Sequence, residues 1–202
     1  MGRIIGKVVT FGFIALVIGG IFLNNSSNDS GNVDDDIDLN AILDVTIDTI
    51  YAYEENSQGV DQSTTPPDAA FLGFTEELGV NLNSANPRIF EGQIGLSPQT
   101  DASIYAFEDK NFNKEMDDGE LGLFIIEIDG ENSRVIASSR SGAVNDHHFS
   151  GTGILTGYLI GSMLGRQRAA GINPKSLASK RPVTAKAAAR SRAGSGSHSK
   201  GK

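Results

Sequence analysis

The chain of 202 residues contains no cysteine and no tryptophan. Without cysteine, disulfide bonds, zinc–thiolate sites, thiol catalysis and a lipoprotein anchor are excluded. A nucleophile motif, a phosphate-binding loop and a dinucleotide-binding fingerprint are also missing from the sequence. We therefore expect a protein that is not an enzyme.

Acidic side chains are missing from both ends of the chain. Residues 1–23 carry only Arg3 and Lys7, whereas residues 24–148 hold all 25 acidic side chains against five basic ones. From residue 166 onward there are ten basic side chains and no acidic one. Blocks of different sign indicate different environments.

Two apolar runs separate these blocks. Residues 4–23 would span about 30 Å as a helix, enough to cross a hydrocarbon core. No A-x-A-like cleavage site follows Leu23, so an uncleaved transmembrane helix is favoured over a signal peptide. Residues 149–165 form the second run, and a glycine recurs there at every fourth position. These glycines are Gly153, Gly157, Gly161 and Gly165. Such a face lets another helix approach closely in a bilayer, which predicts a glycine-zipper transmembrane helix.

Basic side chains lie before the first run and after the second. The positive-inside rule then predicts a bacterial inner-membrane protein with both termini in the cytoplasm and residues 24–148 outside. Residues 1–3 would be the cytoplasmic N-terminus, 24–36 a polar and acidic linker, and 166–202 a disordered basic tail. The tail should attract anionic lipid head groups. Nucleic acid is an unlikely partner because the tail lacks aromatic side chains for base stacking.

The acidic region 37–148 is predicted to fold as a small α+β domain. Apolar spacing favours a helix over 37–55 and a second over 68–78, with Gly79 placed to end it. Strand patterns follow, and Asp129-Gly130 signals a hairpin between the last two of them. These strand patterns cover residues 88–96, 103–107, 121–128 and 134–137.

A loop with many oxygen-bearing side chains, residues 109–120, connects two of the predicted strands. Such side chains stand at positions one, three, five, nine and twelve of the loop. They are Asp109, Asn111, Asn113, Asp117 and Glu120. This is the spacing of an EF-hand-type loop, which supplies the six to eight hard oxygens that calcium prefers. We therefore predict a calcium site with Glu120 as a bidentate ligand.

The stretch from Phe107 to Leu123 resembles the D-x-N-x-[ND]-G-x-x-D-x-G-E loop of the SdrD B-like β-sandwich modules of bacterial surface proteins. The resemblance implies calcium binding by the five side chains above and by the main-chain carbonyl of Glu115. Lys114 departs from the pattern, because glycine usually occupies the sixth position and allows a positive φ there. A left-handed lysine costs about 1 kcal/mol, so we expect weak binding. The alternative is an acidic turn that binds nothing.

The expected function is that of a membrane-anchored envelope adaptor or assembly subunit whose outer domain is stabilised by calcium. One alternative is a small channel or holin-like oligomer assembled through the glycine face, and another is an accessory subunit of an envelope enzyme. A second copy or a membrane protein is the partner expected at the glycine face. Asp146-His147-His148 is a weaker metal candidate, because adjacent histidines point in different directions.

Overall fold

The computed structural model describes residues 37–57, 67–149 and 157–194. These residues form an α+β fold whose five-stranded antiparallel sheet has its strands in sequence order. The elements are α1 (Leu39–Asn56), α2 (Pro67–Ser84), β1 (Ile94–Pro98), β2 (Ile104–Glu108), β3 (Gly122–Asp129), β4 (Arg134–Ser139), β5 (Val144–His148), α3 (Tyr158–Ala169), α4 (Pro174–Ala178) and α5 (Ala185–Gly194). The predicted α+β class and antiparallel hairpins are thereby confirmed.

The apolar core lies between one face of the sheet and helices α1, α2 and α3. Helix α1 packs on β4 and β5, α2 packs on β1, and α3 packs on both helices. Full burial of one large apolar side chain stabilises a fold by about 1.5–3 kcal/mol. Core side chains with at most 1% of their surface exposed include Ile42, Ile50, Phe71, Phe74, Leu78, Ile104, Phe124 and Ile126.

Helix α1 begins at an aspartate cap. The Asp38 carboxylate accepts hydrogen bonds from the main-chain N–H groups of Asn40 at 2.8 Å and Ala41 at 3.4 Å. These bonds satisfy donors that the first turn of a helix leaves without partners. Tyr51 of this helix is 43% exposed.

Helix α2 continues beyond Gly79, where the sequence predicted its end. The additional turn places Asn83 beside the outer edge of β1. The Asn83 side chain accepts a hydrogen bond from the N–H of Ile94 and donates one to its carbonyl, both at 2.9 Å. An amide group thus satisfies the main chain of an edge strand in the way that a further strand would.

The outer face of the sheet, opposite the three helices, buries aromatic rings over glycines. The Phe107 ring lies against Gly95 of the neighbouring strand, and the Tyr105 hydroxyl lies against Gly122. A Cβ atom at either glycine would overlap the aromatic side chain. Burial raises the pKa of Tyr105, and the nearby Arg140 opposes that effect.

The predicted membrane topology is wrong for the part of the chain that the structure describes. No helix within residues 37–57, 67–149 and 157–194 is long and apolar enough to cross a membrane. This finding corrects the fold class with two transmembrane helices and the inner-membrane localisation that was based on it. The first predicted span, residues 4–23, lies outside the described residues.

The second predicted span does not form as expected. Helix α3 has only 12 residues and starts at Tyr158. Its Leu159, Ile160 and Met163 side chains are fully buried in the core of the domain, which accounts for the apolar character of the part of the run that α3 covers. Gly161 and Gly165 face open space, so no helix seam forms at these two glycines. Gly153 lies outside the described residues.

Much of the predicted disordered tail is helical. Residues 166–194 comprise the end of α3, all of α4 and all of α5. Helix α4 starts at an Asn173 cap, whose side chain accepts the N–H of Lys175 at 3.0 Å. Between α4 and α5, Val183 exchanges two main-chain hydrogen bonds with Val144, at 2.8 and 2.9 Å. Alanine, the strongest helix former, dominates α5.

A side chain of α1 caps the N-terminus of α3. The Glu54 carboxylate accepts main-chain hydrogen bonds from Tyr158 at 3.0 Å, Leu159 at 2.9 Å and Ile160 at 3.3 Å. A negative charge is favourable at this end of a helix. A Cβ atom at Gly157 would overlap that carboxylate, so this glycine is needed for the close approach of Glu54.

We expect opposite effects from alanine at two glycines of this region. Gly157→Ala should displace the Glu54 carboxylate and lower the free energy of unfolding by about 1 kcal/mol, the usual value of a lost cap. Gly161→Ala should raise it by up to about 1 kcal/mol, because the site is open and alanine favours a helix. Urea denaturation measures both. Effects of equal sign and size would contradict the assigned role of Glu54.

Candidate calcium loop and a buried polar centre

The loop of residues 109–120 leaves the end of β2 and returns at β3. Its first residue, Asp109, is 2% exposed, and its N–H donates to the carbonyl of Gln93 at 2.9 Å. The Asp109 carboxylate accepts the main-chain N–H groups of Asn113 at 3.2 Å and Lys114 at 3.0 Å. The buried aspartate therefore fixes the turn in the middle of the loop.

Two asparagines connect Asp109 with Asp117. The side-chain oxygen of Asn111 accepts the N–H of Asn113 at 3.1 Å, and that of Asn113 accepts the N–H of Glu115 at 2.7 Å. Both side-chain amides donate to Oδ2 of Asp117, at 2.7 and 2.8 Å. The structure thus brings together four of the predicted ligand residues, and it places Glu115 at the next position of the same turn.

Glu120 joins the two ends of the loop. Its Oε1 accepts the N–H of Lys110 at 2.9 Å, and its Oε2 accepts the N–H of Asp117 at 3.0 Å. The Lys110 ammonium lies beside this closure, 3.2 Å from the carbonyl of Gly119 and 3.5 Å from the Glu108 carboxylate. Both oxygens of the glutamate are therefore used within the loop.

The main chain of the loop adopts positive φ at three positions. Lys114 has φ of 63°, as expected for the sixth position of an EF-hand-type loop. Phe112 has φ of 62° and Gly119 has φ of 91°. Left-handed conformations are strained for lysine and phenylalanine. The Phe112 side chain gains no burial in return, because 72% of its surface is exposed.

The predicted calcium ligands do not form a group of carboxylates that could hold a metal ion in the structure. Among the described residues, no three His, Cys, Asp or Glu side chains lie together in a group that could hold a metal ion. The carboxylates of Asp109, Asp117 and Glu120 each accept N–H donors instead. Calcium would have to displace the amides of Asn111 and Asn113 from Asp117.

A buried arginine, which the sequence analysis did not single out, forms a second polar centre on the outer face of the sheet. Arg134 is 1% exposed. Its Nε donates to Asp129 at 2.9 Å and its Nη1 forms an ion pair with Asp146. Its Nη2 donates to the carbonyls of Leu177 and Lys180, each at 2.9 Å. The guanidinium therefore joins β3, β4 and β5 to the segment around α4.

The charges of this centre stabilise one another. Burial alone would raise the pKa of Asp129, but hydrogen bonds from Asn132 and Arg134, together with the guanidinium charge, hold that pKa below its ordinary value. Burial would likewise lower the pKa of Arg134, and its bonds to Asp129 and Asp146 raise it instead. Both groups stay ionised at neutral pH.

The histidines of β5 lie near this centre but do not form a joint site. His147 and His148 are both exposed, and successive side chains of a strand point to opposite faces. Nε2 of His148 lies 3.7 Å from Asp146, whose carboxylate is already paired with Arg134.

Comparison of the chain with protein-family models, with curated proteins and with solved structures finds no match. The resemblance of residues 107–123 to SdrD B-like modules therefore stays a prediction.

The Arg134 centre should make stability depend on pH in the acid range. Asp129→Asn should lower the free energy of unfolding by about 3 kcal/mol at neutral pH, because it breaks a buried ion pair. The folded pKa of Asp129 lies below its ordinary value of 3.8. Its contribution is therefore complete above that value and is lost as the pH falls through the lower, folded pKa.

Urea denaturation from pH 7 to pH 3 would measure this effect, with exposed Asp118→Asn as the control. The difference between the unchanged protein and Asp129→Asn should shrink only at the acid end of the range. A constant difference would contradict the assigned pairing.

Proposed function

We propose that the described domain is a non-enzymatic adaptor or assembly module whose loop 109–120 binds calcium weakly. The observation that carries the proposal is the network within the loop. Asp109, Asn111, Asn113 and Asp117 are linked by hydrogen bonds around one turn, and Glu120 spans its ends. These are the residues that the ligand spacing selects.

Calcium would act on the stability of the fold rather than on a reaction. The side-chain oxygens of the five residues, with the main-chain carbonyl of Glu115, would hold it. They are hard donors of the kind that calcium takes. Bound calcium would offset repulsion among the carboxylates and would hold the ends of β2 and β3 together. Ligand binding to the folded state alone stabilises a protein by RT ln(1 + [L]/Kd).

Two exposed apolar side chains support a role in binding a partner. Phe112 is 72% exposed and Met116 is 41% exposed, and both lie within the loop. A strained backbone at Phe112 persists only where the surrounding structure enforces it. Calcium would fix the conformation of the loop and thereby the position of these two side chains.

Calcium should raise the melting temperature of the unchanged protein relative to a chelator. Glu120→Ala should abolish this difference, because it removes the bidentate ligand, whereas Asp118→Ala should keep it. Magnesium should do less, since it demands a smaller octahedral cage. Thermal denaturation at millimolar metal measures each case. Equal melting temperatures with calcium and with chelator would leave the loop as a turn without a metal.

The sixth position of the loop provides a separate test. Lys114→Gly should raise the free energy of unfolding without calcium by about 1 kcal/mol, because glycine adopts positive φ without strain. Lys114→Ala keeps the strain and removes only the charge. Both variants should bind calcium more tightly, because each removes a cation beside the site. Urea denaturation with and without calcium gives both quantities, and equal stability of the two variants would contradict the backbone argument.

A further inference from the structure

Two helices carry exposed charges of opposite sign. The acidic stripe of α1 follows the solvent side of that helix and consists of Asp44, Asp48, Tyr51 and Glu55. The basic face of α5 consists of Lys186 and Arg190. All six side chains are exposed. Each set recurs at three- or four-residue spacing, which places its members on one side of a helix.

The described residues offer these charges no partner. None of the five charged side chains forms an ion pair there. Other cations of the C-terminal part are paired within the fold: Arg166 with Asp68 and Lys180 with Glu127. Three further cations of this part also lack an ion pair among the described residues: Arg168, Lys175 and Arg181. No two of them lie on the same helix, whereas Lys186 and Arg190 lie one turn apart on α5.

The spacing of the two faces matches. Asp44 and Asp48 lie four residues apart, as do Lys186 and Arg190, which gives a separation of about 6 Å along each helix axis. Two helices side by side would thus form two ion pairs at once. Most other side chains of α5 are alanine, so no bulky group keeps the backbones apart.

Tyr51 adds a contact that a plain acidic surface lacks. The residue is 43% exposed and lies one turn beyond Asp48 on the same stripe. A guanidinium stacks favourably on an aromatic face while it binds a carboxylate. The stripe therefore suits an arginine-bearing helix better than it suits a diffuse cation.

We propose that the basic face of α5 docks on the acidic stripe of α1 in a second copy of this chain. The two surfaces differ, so the contact is heterologous: each copy would offer one of each and could continue the assembly as a ring or a filament. Exposed ion pairs are individually weak and are screened by salt. The association should therefore depend on protein concentration and on ionic strength.

The absence of cysteine from the chain permits a direct test with the full-length protein. One copy carries Ala52→Cys beside the acidic stripe, and a second copy of different mass carries Ala187→Cys on α5. Both positions are exposed. A short bis-maleimide should join the two copies at low salt, and the yield should fall several-fold at about 0.5 M salt.

Charge exchange identifies the surfaces. Lys186→Glu with Arg190→Glu in the Ala187→Cys copy should lower the yield about tenfold, since two attractions become repulsions. Asp44→Lys with Asp48→Lys in the other copy should then restore it. The control is Arg168→Glu with Lys175→Glu, which changes charge equally on exposed residues outside α5 and should leave the yield unchanged.

Three outcomes would overturn the proposal. The first is a yield that neither salt nor the α5 substitutions change. The second concerns a single chain that carries both Ala52→Cys and Ala187→Cys. If crosslinking occurs only within such a chain, α5 binds its own α1. The third is an unchanged yield together with loss of binding to a DNA duplex in the Lys186→Glu, Arg190→Glu variant, which would make a polyanion the partner.

Discussion

The buried guanidinium of Arg134 is the contact on which the outer side of the sheet depends. It occupies the first position of β4 and reaches Asp129 across the hairpin, Asp146 on the next strand and two carbonyls near the end of α4. A buried charge is tolerated only when it is paired and hydrogen-bonded. The guanidinium therefore requires both aspartates and also residues 177–180. In return it gives a donor to the carbonyl of Lys180 and a second donor to that of Leu177, which also accepts the N–H of Lys180 at 3.0 Å.

Main-chain N–H groups hold several carboxylates of this acidic domain in place. Glu54 accepts hydrogen bonds from three of them at the start of α3, and Glu120 accepts two that join the ends of the loop 109–120. Asp38 and Asp109 accept two each. These donors are fixed in the backbone and lose no side-chain entropy, unlike the long side chains of a surface ion pair. A domain with few basic residues can thus hold carboxylates in place without counter-ions.

Periodic apolar patterns predicted the elements that the core requires. Helix α1 and strands β2, β3 and β4 were predicted within a few residues of their observed bounds, because their sequences are rich in apolar side chains that the fold buries. Strand β5 was missed because its sequence, VNDHH, has no apolar alternation and its place depends on pairing with β4. Helix α2 passes Gly79 because of the contact between Asn83 and Ile94, which no local pattern reveals.

Beyond residue 148, local signals are a better guide to the structure than composition. The glycine spacing suggested a membrane helix, while Leu159, Ile160 and Met163 belong to the core and Gly157 accommodates Glu54. The Asn173-Pro174 pair is a typical helix start, but the basic composition of this region favoured a disordered tail. In the loop 109–120, the ligand spacing predicted which residues come together. That spacing alone does not determine how near three carboxylates lie to one another.

The strand order also bears on how the protein is made. Each ladder joins strands that follow one another in the chain, so the sheet can form progressively as residues 94–148 are synthesised. The carbonyls that complete the Arg134 centre come 43 and 46 residues after it. At roughly 5–20 residues per second, a ribosome needs several seconds to supply them. During that interval the Nη2 donors of the guanidinium bind water instead, and a chain that ends before residue 177 lacks both of their carbonyl partners.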